Sequence, residues 1–231
     1  MDTYSVIITQ VKYRDRGRTI PSGQEHIIII GGGIVGLSTA FALLQQGMKK
    51  VTVVEQRTVD HQRSASHGIS RLLRFEYGEY RLYTEMVHVS LQRWKGLERI
   101  TQRTLYTPAG VLVLGSPTDD FARKSYETLC DLGYHSEALS RQDCLRRFPQ
   151  FALQDYDFFT YNVAGGILCA SHCLQTLKEI IHQLGGVLLE NRKVTQIYHD
   201  NALKPIRLRL MDGHELTADR LVLAVGSWVH H

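Results

Sequence analysis

The stretch from His26 to Glu55, HIIIIGGGIVGLSTAFALLQQGMKKVTVVE, limits what this chain can fold into more than any other. His26–Ile30 is a short, nearly all-apolar run rich in β-branched residues, as in a strand buried on both faces of a parallel sheet. Gly31, Gly33 and Gly36 follow at G-x-G-x-x-G spacing. The first glycine permits a tight turn, the second a close approach of backbone to a pyrophosphate, and the third close packing of helix on strand. The helix that starts there aims free N–H groups and the positive end of its dipole at the phosphates.

The pattern continues beyond the glycines. Ala40 is another small residue on the helix, and Gly47 stands where a helix C-cap belongs. Val51–Val54 reads as the second strand, with Glu55 at its end. A carboxylate there accepts both ribose hydroxyls of an adenosine and repels a 2′-phosphate, which disfavours NADP. G-x-G-x-x-G alone is weak evidence. Between two apolar strands, and followed by the acid, it is specific for a dinucleotide.

Composition narrows the class. The 231 residues suit one large domain or two modest ones, and 43% hydrophobic and 22% charged residues are ordinary for a globular protein. The net charge of +4 is small and scattered, which gives no argument for nucleic acid. The 11 histidines include the terminal pair His230 and His231, and no metal-ligand spacing joins the others. Cys130, Cys144, Cys169 and Cys173 form no C-x-x-C and read as reduced thiols of a cytoplasmic protein. No apolar run reaches the roughly 18–20 residues that span a membrane.

Residues 1–25 read as a poorly ordered N-terminal extension. They hold an apolar patch, Tyr4–Val11, then a basic stretch. Lys12, Arg14, Arg16 and Arg18 precede no apolar core, so the segment is not a secretory signal. Asp2 and Asp15 weigh against a mitochondrial presequence. After the polar loop Gln56–Arg63 comes SASHGISRLLRFEYGEY. If residues 67–75 are helical, His67, Arg71 and Arg74 share one face, and Ile69, Leu72 and Leu73 anchor the other in the core. An ordinary solvated basic face fits the same pattern.

Tyr80–Gln102 is expected to form a long helix, with Tyr83, Met86, Leu91, Trp94 and Leu97 as core positions. Leu105–Leu114 is strand-like, with a bend at Pro108 and Gly110. Asp119–Leu132 is helical, and Ser140–Arg147 is a short helix with Ser140 as N-cap. A helix over Ser171–Leu184 precedes strands at Val187–Leu189, Lys193–Tyr198 and Ile206–Leu210. Asp212-Gly213 is a hairpin turn, and Arg220–Val225 is an apolar strand closed by Gly226-Ser227-Trp228.

The expected fold class is α/β: a doubly wound, Rossmann-like parallel sheet with an inserted α+β piece. Residues 26–103 and 163–231 would form a discontinuous nucleotide-binding domain, and 104–162 part of a substrate domain. The core of this expectation is that His26–Ile30, Val51–Val54 and Arg220–Val225 are neighbours in one sheet.

Three stretches carry a family resemblance: GGGIVGLSTAFALLQQG with VTVVE, SHGISRLLRFEYGE, and TADRLVLAVGSW. The chain resembles the FAD-dependent amine and amino-acid oxidases of the D-amino-acid oxidase superfamily. It is most similar to the branch of monomeric sarcosine oxidase, N-methyltryptophan oxidase and pipecolate oxidase. The spacing of AGGILCASHCLQTL and LSRQDCLRRFPQF agrees, so the likeness covers roughly residues 26–229.

The resemblance implies FAD held by Gly31, Gly33, Ile34, Val35 and Gly36, with Glu55, Gln56 and Arg57 on the adenosine side. Ser66, His67 and Arg71 would lie beside the flavin ring, Val194 would meet the adenine through its backbone, and Gly226 belongs to the turn closing back on the cofactor. Arg74 matches the arginine that pairs with the substrate carboxylate, and Arg71 the one close to the flavin. His67 matches the active-site histidine, or serves only to hold the loop. The implied reaction oxidises the C–N bond of an N-methyl or cyclic amino acid, passing a hydride equivalent to FAD and then electrons to oxygen, with peroxide released.

Two features depart from the branch. Ser64-Ala65 replaces its usual Gly-Ser. Members also continue well beyond the Gly-x-Trp turn, so the chain is expected to match the N-terminal half or two-thirds of an oxidase. The remainder would carry the oxygen-activating lysines and the cysteine that attaches FAD. Two further readings stand beside the oxidase: a dehydrogenase using another acceptor, and a truncated non-catalytic FAD-binding fragment. A plain NAD-dependent reductase fits least, since its nucleotide motif would not be followed by the arginine-bearing segment.

Overall fold

The computed structural model describes residues 23–199 and 205–229; the expected extension over residues 1–25 lies almost entirely outside them. The chain begins with β1 (His26–Ile30), α1 (Ile34–Gln45), β2 (Lys50–Val54), β3 (Ser70–Leu73) and α2 (Arg81–Thr101). It continues through β4 (Tyr106–Thr107), β5 (Val111–Gly115), α3 (Phe121–Asp131), β6 (Glu137–Leu139), α4 (Arg141–Arg147), β7 (Phe158–Asn162) and β8 (Gly166–Cys169). It closes with α5 (Ala170–Gln183), β9 (Val187–Leu189), β10 (Val194–Tyr198), β11 (Ile206–Leu210), β12 (Glu215–Ala218), β13 (Arg220–Leu223) and a short 3-10 turn at Gly226–Trp228. These elements form two compact units, one of Met1–Ile69 with Ala170–His231 and one of Ser70–Cys169.

The first unit is built on a parallel sheet of order β13-β1-β2-β9. Ile28 of β1 lies opposite Leu221 on one side and Thr52 on the other, so the three strands expected to be neighbours are neighbours. Ile27, Ile28 and Ile29 are all buried, as a strand covered on both faces requires. Helices α1 and α5 pack together and against the strands. The antiparallel meander β10-β11-β12 closes a core of Ile28, Val54, Leu208, Leu210 and Ala218. β11 shows why: Leu208 and Leu210 alternate with exposed Arg207 and Arg209, the period of a strand with one wet face.

Two glycines make the β1-to-α1 turn possible. Gly31 has φ +111°, and a Cβ there would collide with the carbonyl of Ala224. A Cβ on Gly36 would collide with the carbonyl of Gly31. The helix can therefore start this close to the strand only without side chains at both positions.

The second unit holds two three-stranded antiparallel sheets, β3-β8-β4 and β5-β7-β6. One apolar cluster joins Leu73, Phe75, Leu91, Tyr106 and Leu129, and another joins Cys144, Leu153 and Phe159. Ser140 caps α4 as expected, accepting from the N–H of Asp143.

Here the structure corrects two expectations. Residues 67–75 contain a strand, not a helix, because Ser70–Leu73 pairs with Gly166–Cys169. His67, Arg71 and Arg74 therefore do not share a helical face. Ile69 is 93% and Leu72 62% exposed, so of the expected apolar anchor only Leu73 is buried. On α2, Leu91 and Leu97 are core, whereas Tyr83 and Met86 are half exposed on its first turns.

The turn between β3 and α2 is held by buried polar side chains. The N–H of Gly78 donates to Ser125 Oγ at 2.8 Å, Thr128 Oγ1 donates to the Gly78 carbonyl at 2.8 Å, and Thr84 Oγ1 donates to the Phe75 carbonyl at 2.9 Å. Glu76, 1% exposed, accepts from the N–H of Phe75 and from Asn162 Nδ2. Burial raises its pKa above the ordinary 4.5, against the opposing pull of its N–H donors, the Asn162 amide and the Arg74 charge. A raised folded-state pKa gives stability that is complete at low pH and declines as pH rises through the raised value. The thermal midpoint of the protein is therefore expected to fall with pH above about 4.5 more steeply than that of Glu76→Gln. The slope, followed by circular dichroism, is the readout, because the amide also loses the Phe75 contact at every pH. Equal slopes would contradict the assignment.

Candidate functional site

The first unit assembles a cradle at the C-terminal ends of β1 and β2, the edge where parallel sheets bind ligands. α1 begins at Ile34 with Gly33 as N-cap, and its side chain-free cap offers no hydrogen bond of its own. The missing acceptor comes from elsewhere in the chain: Ser66 Oγ accepts from the Ile34 N–H at 3.0 Å. A Cβ on Gly33 would lie 3.2 Å from that hydroxyl, and Ser64 Oγ is 3.9 Å from the same point. Ser64 in turn accepts from the N–H of Ser66 at 3.2 Å. The Ser64-Ala65 departure thus keeps a hydroxyl beside the glycine turn.

Glu55 ends β2 facing the turn. Its Oε2 accepts from the Gly32 N–H at 2.7 Å and its Oε1 from the Arg57 N–H at 2.9 Å. A carboxylate has about four lone-pair sites, so two backbone donors aim the group and leave capacity for a pair of hydroxyls. The backbone of Glu55 is fixed as well, donating to the Leu189 carbonyl and accepting from the N–H of Arg192, each at 2.9 Å. Asn191 N–H donates to the Arg57 carbonyl at 2.9 Å, which ties the Glu55–Arg57 turn to the segment leading into Val194. Gln56 is half-buried within that turn.

On the other side, the segment Ser64–His67 is a tight turn, with Ser64 N–H bonded to the His61 carbonyl and His67 N–H to the Ser64 carbonyl. Arg63 lies over the Trp228 ring at 5.2 Å, which links this turn to Gly226–Trp228. Gly226 has φ +58°. The first unit therefore brings together Gly31–Gly36, Glu55–Arg57, Ser66, His67, Val194 and Gly226.

His67 has a partner that the sequence did not announce. Its Nδ1 lies 2.8 Å from the Asp60 carbonyl and 2.9 Å from Asp60 Oδ1. Two acceptors at one nitrogen assign a proton to Nδ1. Asp60 reaches this position through φ +66°, a left-handed conformation in which aspartate is enriched.

Arg71 and Arg74 belong to the second unit. Arg71, in β3, is exposed and donates to the carbonyl of Ser70 at 2.8 Å. Arg74 follows the strand, half-buried, with its guanidinium 5.0 Å from the Tyr77 ring and 5.4 Å from the Phe121 ring. Aromatic faces position a guanidinium without neutralising it.

One further carboxylate supports the cradle from below. Glu190 accepts from the Val59 N–H and pairs with Lys178 Nζ, both at 2.6 Å. Burial pushes its pKa up, but the Lys178 bond and the Val59 N–H outweigh burial, and the group stays below the ordinary 4.5. A lowered pKa gives stability that is present above the ordinary value and is lost as pH falls through the lowered one. Glu190→Gln is expected to cost about 1 kcal/mol at pH 7, the worth of a charged hydrogen bond partly open to solvent. That cost should shrink in acid, as chemical denaturation at both pH values would show; a cost independent of pH would contradict the charge-based account.

Comparison with known proteins follows the same lines. Residues 26–231 match the DAO family, FAD dependent oxidoreductase. Over 203 residues the chain is 30% identical to the peroxisomal sarcosine oxidase of Homo sapiens, covering 88% of this chain and 50% of that protein. It is 25% identical to the monomeric sarcosine oxidase of Bacillus sp. (strain B-0618), with 87% and 51% covered. The solved structure of NikD, an unusual amino acid oxidase essential for nikkomycin biosynthesis, shares the fold with a TM-score of 0.74 at 24% identity, over 90% of this chain and 52% of that one. The chain spans about half the length of the curated relatives it matches. No helix among the described residues is long and apolar enough to cross a membrane. The sheet, the glycine turn with its aimed carboxylate and the match over residues 26–231 agree: the chain belongs to the DAO family of FAD-dependent oxidoreductases.

Proposed function

We propose that this chain holds the FAD of an oxidase acting on secondary amines, namely N-methyl or cyclic amino acids. The observation that carries the reading is Glu55, whose carboxylate is aimed by the Gly32 and Arg57 N–H groups beside a turn that side chains would block. The residues fit the cofactor. Glu55 accepts the ribose hydroxyls. The N–H of Val35 and the Ser66 hydroxyl, itself held by the Ile34 N–H, receive the pyrophosphate. The segment through Arg192 to Val194 borders the adenosine end.

Bound FAD supplies a two-electron acceptor for the hydride equivalent leaving the carbon next to the amine. The protein's part is position and charge. The ring of His67 is held in one orientation by the bond from its Nδ1 to Asp60. Arg74 would pair with the substrate carboxylate, and Arg71 would supply positive charge beside the flavin. Oxygen is the second substrate in this reading and hydrogen peroxide the product. The names of the relatives, sarcosine oxidases from Homo sapiens and Bacillus, support the substrate class.

We place the chain in the cytosol, since Cys130, Cys144, Cys169 and Cys173 form no disulfide among the described residues, as in a reducing compartment. The human relative is peroxisomal by name, and imaging of the tagged chain decides between the two compartments.

The test uses the purified chain with FAD. Sarcosine, other N-methyl amino acids and pipecolate are added without oxygen while flavin absorbance is followed, and air is then admitted with peroxide detection. Bleaching followed by peroxide is the expected result. Bleaching without peroxide replaces the oxidase by a dehydrogenase, and bound FAD that no amine bleaches replaces it by a non-catalytic FAD holder. Arg74→Gln should raise KM for carboxylate-bearing amines by about 100-fold, the worth of a charge-assisted pair, and leave amines without a carboxylate unchanged.

A further inference from the structure

The second unit contains a groove of about 430 Å³ between the β3–α2 turn, the first turn of α2 and the start of α3. Four aromatic rings line it: Tyr77, Tyr80, Tyr83 and Phe121. Tyr77 and Tyr83 have ring centres 5.6 Å apart at 47°, and Tyr80 and Tyr83 5.9 Å apart at 58°. Rings tilted in this way present faces around a hollow instead of closing it by stacking. Tyr80, the N-cap residue of α2, and Tyr83 in its first turn are 62% and 51% exposed.

The charge of the groove has one dominant sign. Glu79, Asp119 and Asp120 line it with Lys124, which pairs with Glu79 at 3.7 Å, and the Arg74 guanidinium stands at the Tyr77 and Phe121 side. Asp119 accepts from the Phe121 N–H at 2.9 Å, and Asp120 makes no capping bond to α3. Two carboxylates thus remain without a cationic partner among the described residues. The walls are also fixed in place, because Gly78 is bonded through both its N–H and its carbonyl to the buried hydroxyls of Ser125 and Thr128.

The structure already shows what such rings attract. Arg74 lays its guanidinium 5.0 Å from the Tyr77 ring and 5.4 Å from that of Phe121. No cation covers Tyr80 or Tyr83 among the described residues. Aromatic faces with nearby carboxylates select organic cations, best those with N-methyl groups, whose charge is spread and weakly hydrated. We propose that this groove of the second unit is a binding site for a methylated ammonium group.

Choline is the probe and 3,3-dimethyl-1-butanol, its uncharged isostere, the control. Both are titrated into the full chain without FAD, with binding followed by NMR and calorimetry. Choline should bind with a dissociation constant of about 1 mM, as a few exposed ring faces and carboxylates allow. The isostere should bind at least about tenfold more weakly, since it keeps the shape and lacks the charge. Tyr83→Ala should abolish binding and Tyr83→Phe should retain it, which separates loss of the ring from loss of the fold. Asp120→Asn should weaken it severalfold. Absence of choline binding, equal binding of the two probes, or unchanged binding by Tyr83→Ala would each overturn the proposal.

Discussion

The first unit depends on one close approach. The carbonyl of Gly31 occupies the space a side chain at position 36 would need, and the carbonyl of Ala224 the space a side chain at position 31 would need. Because both positions are glycine, α1 can begin directly against β1, and β13 can run alongside it with Ala224 N–H bonded to the Ile30 carbonyl at 2.8 Å. The same contact sets the start of the helix at the sheet edge, where Glu55 accepts from the Gly32 N–H and Ser66 from the Ile34 N–H. Packing and the anion-binding edge are two results of one steric fact.

What surrounds this contact is a division of labour between charge and backbone. Glu55 is aimed by N–H groups, and its own backbone is pinned to the strand pair at Leu189 and Arg192. Glu190 holds the next turn through Val59 and is balanced by Lys178. His67 is oriented by Asp60, which accepts a left-handed backbone to reach it. Glu55 and His67 are therefore each placed by other polar groups, most of them outside the glycine motif. In the second unit, buried hydroxyls and Glu76 do the same for the turn after Arg74.

The legible parts of the fold were those with strong local signals. The apolar runs at 26–30, 51–54 and 220–225 read as neighbouring strands because a parallel core strand needs no alternation. The long α2 helix and the Ser140 cap were equally plain. Residues 67–75 were misread because their arginine spacing fits a helical face as well as it fits a short strand. What decides the matter is pairing with Gly166–Cys169, distant in sequence and invisible to local periodicity. Tyr83 and Met86 carry the right period for a core, yet that part of α2 is uncovered among the described residues. Gly31, Gly33, Gly36 and Glu55 stand out by spacing alone, whereas Ser66 enters only through the family resemblance and is found at the start of α1. Asp60 was not readable, since an acid in a polar loop gives no sign of the histidine it will face.

The central claim is that these residues hold FAD, and the visible absorption spectrum tests it most directly. The purified chain is incubated with FAD, separated from free cofactor, and measured before and after denaturation and removal of protein. Flavin bands that travel with the folded chain and then pass into the small-molecule fraction are the predicted result, a cofactor held without a covalent bond. A chain that stays colourless and takes up no added FAD would contradict the account.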